Sequence, residues 1–348
     1  MKKELLIASA LVGSVGLAGV AEAASMSFSG NHRVGVAGSD SNATADAVKA
    51  SSIQSSLAAS VSETTDGGIK ISSGFTFINE GTSAVNASGL TLTFTDGSSL
   101  DLVKAGNASG SHDIAPPSGG GELGISYLSD NAAPGGIDFA TSSDGVGFEY
   151  HSAADAMGVT GLKFGISGSF NNEAIATTTA AYDTGYGVGV TYVTTAGDTA
   201  VTVGAGYSAS DYVGTSLSKD EGGGHIGISA VTGDLTVAAA HGTGDTVGGG
   251  DEVQQKDSEA TEIGAKYVSG DMTFSVGYLS SDSADENYGT SGTGIKDERT
   301  QTSASIDYVI ASGVTGTLGY MDQEGTDEGA VNTATSGSSW YVGANISF

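Results

Sequence analysis

Ser338-Ser339-Trp340-Tyr341-Val342-Gly343-Ala344-Asn345-Ile346-Ser347-Phe348 is the stretch that decides the fold. Side chains on a strand alternate with a period of two, so Trp340, Val342, Ala344, Ile346 and Phe348 share one face, and Tyr341, Gly343, Asn345 and Ser347 share the other. The first face is oily with an aromatic at each end; the second is mostly polar or small. Trp340 and Phe348 stand roughly 26 Å apart along a strand, or about 20 Å of height at the tilt of a lipid-spanning barrel, close to the apolar band between two aromatic girdles. A strand of a soluble sandwich also alternates, but it rarely carries aromatics at both ends of its oily face. The stretch therefore predicts a strand whose oily side meets lipid.

The chain has 348 residues, with 56 glycines, three prolines, no cysteine and 38% hydrophobic residues. Glycine at this level without a collagen period, beside so much apolar content, argues for packed or embedded structure rather than disorder. Forty acids against 12 Lys and Arg give a net charge of −28, which repels phosphate backbones and excludes nucleic acid as a partner. Without cysteine there is no disulfide framework, thiol catalysis or cysteine-ligated zinc. Residues 1–23 read as a secretory signal peptide: Lys2 and Lys3, an apolar run from Leu5 to Val20, then Ala21-Glu22-Ala23, leaving 24–348 as the expected mature barrel. No later segment approaches the roughly 20 apolar residues of a membrane helix, so a lipid-spanning chain of this kind must close as a barrel.

The two-residue period begins at Met26, Phe28, Val34 and Val36 and recurs to the end, for example at Ile69/Ile71/Phe75/Phe77, Tyr186/Val188/Val190/Tyr192, Met272/Phe274/Val276/Tyr278 and Ala304/Ile306/Tyr308/Ile310. Short and long connections alternate between these segments. Short turns carry Gly or Asp, as at Thr195-Ala196-Gly197-Asp198, Thr232-Gly233-Asp234, Ser269-Gly270-Asp271 and Ala311-Ser312-Gly313. Longer connections fall at about 38–50, 79–89, 105–144, 171–184, 208–224, 242–260, 280–299 and 321–338. The spacing predicts an all-β, transmembrane, antiparallel up-and-down barrel of about 16 strands with its long loops on one rim. A glycine-rich acidic adhesin or β-solenoid is the alternative from another class, but a solenoid needs a repeat of fixed length.

The third long connection, 105–144, stands apart. It holds all three prolines, Pro116, Pro117 and Pro134, with Gly119-Gly120-Gly121, yet also Leu123, Ile125, Tyr127, Leu128, Ile137 and Phe139. Proline excludes a ladder position, and so much apolar surface must pack on something. Here the chain resembles the Gram-negative general porins, whose third loop folds into the barrel. Phe28-Ser29-Gly30 with Arg33-Val34-Gly35-Val36 is similar to the first strand of the alphaproteobacterial branch, and a closing strand ending in Phe348 resembles the signature read by the barrel-assembly machinery. The resemblance implies an outer-membrane homotrimer amid lipid and lipopolysaccharide that passes small solutes and ions by diffusion, or, as a variant, a porin-like channel selective for one substrate. It implies no enzyme.

Within that reading, strand parity and the loop nominate Arg33, Lys70, Asp101, Asp113, Glu122, Asp130 and Asp138 for the pore constriction, with Glu149, Lys163, Glu262, Lys266, Arg299 and Asp307 as other lumen-facing charges. Wall charges roughly cancel and the loop candidates are acidic, so mild cation selectivity is expected. Most of the 40 acids lie in the long connections; Asp251, Glu252, Asp257 and Glu259 are candidate ligands for calcium or magnesium, although they match no EF-hand spacing. Otherwise no cofactor is expected. The five histidines, His32, His112, His151, His225 and His241, are scattered in sequence and form no metal-ligand pair. Gly185-Tyr186-Gly187-Val188-Gly189 lacks the helix of a dinucleotide fingerprint and reads as small lumen-facing residues in a strand.

Overall fold

The computed structural model describes residues 24–41, 48–80, 82–103, 106–119, 146–170, 181–213, 218–247, 254–286, 296–327 and 333–348. The expected signal segment 1–23 lies outside them, as do Glu122, Asp130, Asp138, Asp251 and Glu252. The strands are β1 (Ser25–Ser41), β2 (Val48–Thr64), β3 (Lys70–Glu80), β4 (Thr82–Ala87), β5 (Leu90–Thr93), β6 (Ser99–Leu102), β7 (Val146–His151), β8 (Leu162–Phe170), β9 (Ala181–Ala196), β10 (Thr199–Val213), β11 (Ser218–Thr232), β12 (Leu235–Val247), β13 (Gln254–Ser269), β14 (Met272–Glu286), β15 (Lys296–Ala311), β16 (Val314–Asp327) and β17 (Thr333–Ser347).

Strands that are neighbours in sequence pair antiparallel, save β4 and β5, and β1 pairs with both β2 and β17, which closes the sheet. β4 and β5 both lie against β3, at Phe75–Glu80 and at Lys70–Ser72. They are two halves of one wall strand broken at Ser88-Gly89, where Ser88 N–H donates to Gly74 O at 2.9 Å and Ser73 Oγ donates to Gly89 O at 2.9 Å. The wall is thus a closed barrel of sixteen strands, as expected, and not a solenoid.

Closure of β1 on β17 removes the open ends of the sheet, the condition for β-structure in lipid. The alternation then fixes what faces where. Val188, Val190 and Tyr192 on β9, Phe274, Val276 and Tyr278 on β14, and Trp340, Val342 and Ile346 on β17 are exposed on the outside, whereas Ser208, Ser275, Ser303 and Ser339 are buried on the inside. An oily face turned outward and a buried face of serine and glycine invert the arrangement of a soluble sandwich. Tyr192, Tyr267 and Tyr308 lie near the short-turn ends of their strands, and Tyr186, Tyr207 and Trp340 lie further toward the other rim, giving the two aromatic levels.

The short-turn rim is built from tight reversals. Gly197, Gly233 and Gly270 each take a left-handed φ of 63°, 56° and 60°, followed by an Asp without one, the pattern of a two-residue II′ turn that suits the right-handed twist of the flanking strands. On the opposite rim the connections are shorter than the sequence suggests. β10 and β11 stay paired up to Val213 and Ser218, and β12 and β13 up to Val247 and Gln254, so polar stretches expected to be loops continue as hairpins. Beyond the lipid no oily face is required, and a strand there loses the alternation by which it is recognised.

Candidate constriction site

β6 ends at Leu102, and Val103 N–H still donates to Gly147 O at 2.9 Å. Val103 then takes a φ of 59°, a conformation that costs a β-branched residue dearly and marks where the chain leaves the wall. Residues 106–119 lie inside the barrel, with a single 3-10 turn at Gly110–His112. The segment is pinned to the wall at both ends: Ala108 N–H donates to Ser167 Oγ on β8 and Gly119 N–H donates to Ser303 Oγ on β15, each at 3.0 Å. Its prolines remove donors that would have no partner in such a crossing.

The inner wall makes room by omitting side chains. A Cβ on Gly189 would strike Ala108 O and the His112 ring, one on Gly204 would strike His112 O and Ile114, and one on Gly227 would strike Ile114. Gly264 meets Pro117, and Gly277 meets Pro117 and Ser118. These glycines sit on β9, β10, β11, β13 and β14, so a seat runs around the inner wall from β8 to β15. Gly187 and Gly189, read from sequence as small lumen-facing residues, are part of it.

Three of the histidines that look scattered in sequence lie in or beside this seat. His112 is 6% exposed and its Nδ1 shares a 2.7 Å hydrogen bond with Thr191 Oγ1 on β9. His112 belongs to the inserted segment rather than to a membrane-spanning strand, and burial, with the charges of His151, His225 and Lys163 adding to it, pulls its pKa below the ordinary histidine value. His225 on β11 donates from Nε2 to Ser109 O at 2.9 Å and places Nδ1 3.4 Å from Asp113 Oδ1. His151 on β7 stands 3.0 Å from Asp101 Oδ2 and 3.6 Å from Glu149 Oε1. Glu149 accepts a 2.6 Å hydrogen bond from Ser111 Oγ, and Thr91 Oγ1 donates to Asp101 Oδ1.

Ser109, His225 and Asp113 have the residue types of a hydrolytic triad, with Ser109 Oγ 3.1 Å from His225 Nε2. The chemistry does not follow. Nε2 also faces the Ser109 carbonyl, which only accepts, so that nitrogen carries a hydrogen and is no base for the hydroxyl. Ser109 is buried between the segment and the wall at Gly206, leaving no approach for a carbonyl substrate. The three residues are a fastener.

The nominated charges separate by height, which parity does not report. Arg33 faces inward on β1, in register with Gln54 and Asn345, on strands that carry none of the glycines of the seat. Lys70 is the first residue of β3, next to the short turn, so it stands at the rim and not at the neck. Lys163, Lys266 and Asp307 also lie within a few residues of short turns, with Asp307 accepting from Thr317 Oγ1 at 2.6 Å. Arg299 donates to Gln301 Oε1 at 2.8 Å and to Gln323 Oε1 at 3.3 Å, nearer the opposite rim. Glu262 lines a small cleft with Pro116, Pro117 and Ser303. Glu149, expected as a lumen charge, is only 3% exposed beneath the segment. Asp113, by contrast, is 48% exposed. Of the acids suggested as divalent-cation ligands, Glu259 is exposed on β13.

A closed, oily-sided barrel with a segment folded across its interior defines an outer-membrane channel protein. The profile of the Gram-negative porins matches residues 8–348, and the chain belongs to that family. It is an integral β-barrel of the outer membrane. Among solved structures it is similar to the anion-selective porin from Comamonas acidovorans (16% identity, 93% of this chain and 100% of that one, TM-score 0.67). The Salmonella typhi OmpF complex with daunomycin is similar too (15% identity, 93% and 98%, TM-score 0.65), as is in-vitro folded OmpT of Vibrio cholerae in its trimer form (14% identity, 94% and 100%, TM-score 0.61). No curated protein sequence matches it significantly.

Proposed function

We propose that this porin is a non-enzymatic, water-filled diffusion channel for small hydrophilic solutes and ions, narrowed between the inserted connection that includes residues 106–119 and the barrel wall, with a mild preference for cations. The observation that carries the reading is the inserted segment 106–119 lying across the lumen on a glycine-lined seat. Asp113, half exposed on that segment, gives the neck its negative side, and Arg33, facing inward on β1, gives a basic counterpart. Glu122, Asp130 and Asp138 belong to the same connection and are proposed to add to the negative field. With a Debye length of about 8 Å at 0.15 M salt, comparable with such a neck, the preference is modest and fades in concentrated salt.

The protein is further proposed to work as a homotrimer among lipid and lipopolysaccharide, which the trimer form of Vibrio OmpT supports, with the strand ending in Phe348 read by the assembly machinery. Planar-bilayer recordings should show stepwise openings. The reversal potential under a KCl gradient should have the sign of a cation-preferring pore and move toward zero in Asp113→Asn. An anion-selective wild type, or an unmoved potential in the variant, refutes this account of the neck.

A further inference from the structure

We propose that Asp101, Glu149 and His151 form a binding site for a divalent transition-metal ion of the zinc type on the inner wall, beneath the inserted segment. The donor atoms of all three lie within 4.8 Å of one another. A tetrahedral ion with bonds near 2.0 to 2.1 Å holds its donors about 3.3 Å apart, and His151 Nε2 stands 3.0 Å from Asp101 Oδ2 and 3.6 Å from Glu149 Oε1, on either side of that value. Hydroxyls hold both carboxylates: Thr91 Oγ1 donates to Asp101 Oδ1, the oxygen away from His151, and Ser111 Oγ donates at 2.6 Å to Glu149 Oε1, the oxygen that faces His151. Such outer hydroxyls fix the ligands of metal sites. Two carboxylates balance a dication. One imidazole with two carboxylates suits a borderline ion, whereas calcium needs six to eight oxygens that this corner does not offer.

A second observation points to the same place. His112 is 6% exposed, and its Nε2 is buried without a hydrogen-bond partner although its Nδ1 is held by Thr191. That nitrogen lies 3.0 Å from where a Cβ on Gly165 would stand, and Gly165 is the ladder partner of His151. A buried nitrogen without a partner thus lies over the strand paired with that of His151, outside the three-residue cluster but next to its strand.

The test is calorimetric titration of ZnCl2 into the full-length, detergent-folded, chelator-washed protein. One saturable site is expected, weakened at least tenfold in Asp101→Asn and in His151→Gln, and unchanged in His241→Asn, whose imidazole bonds to Thr261 elsewhere on the barrel. Asp101→Asn retains shape and the Thr91 contact, so it remains informative if His151→Gln folds poorly. No saturable binding, or binding unaffected by Asp101→Asn, overturns the proposal and leaves His151 as a structural contact between two carboxylates. Conductance in KCl without zinc tests the channel reading separately.

Discussion

Phe348 and Gly30 exchange both of their backbone hydrogen bonds, each at 3.1 Å, and the Phe348 ring covers Gly30 where a side chain would stand. Eight residues earlier on the same outer face, the Trp340 ring covers its partner Gly38 in the same way, and on the inner face Tyr341 lies over Gly35 and Gly343. The seam between the last strand and the first is thus clasped by three rings over glycines, which are otherwise the weakest strand residues.

The clasp predicts that Phe348→Ala and Gly30→Val damage closure by different routes, one removing the ring and the other displacing it. Cross-strand aromatic pairs contribute roughly 0.2–1 kcal/mol each. Urea-dependent folding into lipid vesicles should show both variants destabilised by about that amount or more, with Gly30→Val the worse because a Cβ there also meets Ser56 O. Wild-type stability in Gly30→Val would contradict the clasp.

Val190 faces outward, so Val190→Arg should cost roughly 2–4 kcal/mol near the bilayer midplane. Its inward neighbour Thr191 is not a neutral control, because it holds His112. Thr202 on β10, facing the lumen below the inserted segment, is the proper comparison: Thr202→Arg should fold normally and change single-channel conductance.

The seat predicts that Gly227→Leu, whose side chain would occupy the place of Ile114, unseats the segment while leaving the wall paired. Single-channel records should then show altered, noisier conductance. Protease should also cut within 106–119, where the wild type resists.

Acid should loosen the same segment. The pKa of His112 is lowered in the folded protein, chiefly by burial, so its contribution is fully present above the ordinary histidine value, about 6.5, and is lost as pH falls through the lowered one. Conductance recorded from pH 7.5 down to 4.5 should change across that window. In His112→Gln, which can still hydrogen-bond Thr191 but does not titrate there, this component should be absent.

Val103 offers a test of the point of departure from the wall. Its left-handed φ costs roughly 1–2 kcal/mol for a β-branched residue. Val103→Gly should therefore be tolerated or stabilising in the same urea assay, an outcome opposite to that of most strand-end glycine substitutions.

Much of this architecture is legible in the chain because lipid imposes a simple rule. Tyr186, Val188, Val190 and Tyr192 can face only one way, and Gly197-Asp198 can only reverse. The rule stops where the lipid stops, and so the paired extension of β10 and β11 to Val213 and Ser218 leaves no trace in the hydropathy. Parity also carries no height, which is why Lys70 and Arg33 look equivalent in sequence and are not. The inserted connection shows itself through Pro116 and Pro117. The seat beneath it does not, since Gly204, Gly227 and Gly264 are informative only once a second piece of backbone is known to lie on them. Glu149 and His151, two apart on one strand face, were the visible hint of the histidine–carboxylate corner, and only the register with Asp101 completes it.

The glycine seat has a further consequence for how such a pore can change. Where the inserted segment lies, the wall is glycine or side chains such as Ser167, Thr191, His225 and Ser303 that hold the segment, so that part of the circumference is committed to carpentry. Among the described residues, sieving falls to the inserted segment and to wall strands away from its seat, such as those on either side of the β17–β1 seam. Substitutions there can retune what passes without touching what stands, which makes the arc bearing Arg33, Gln54 and Asn345 the natural ground for variation among channels built on this plan.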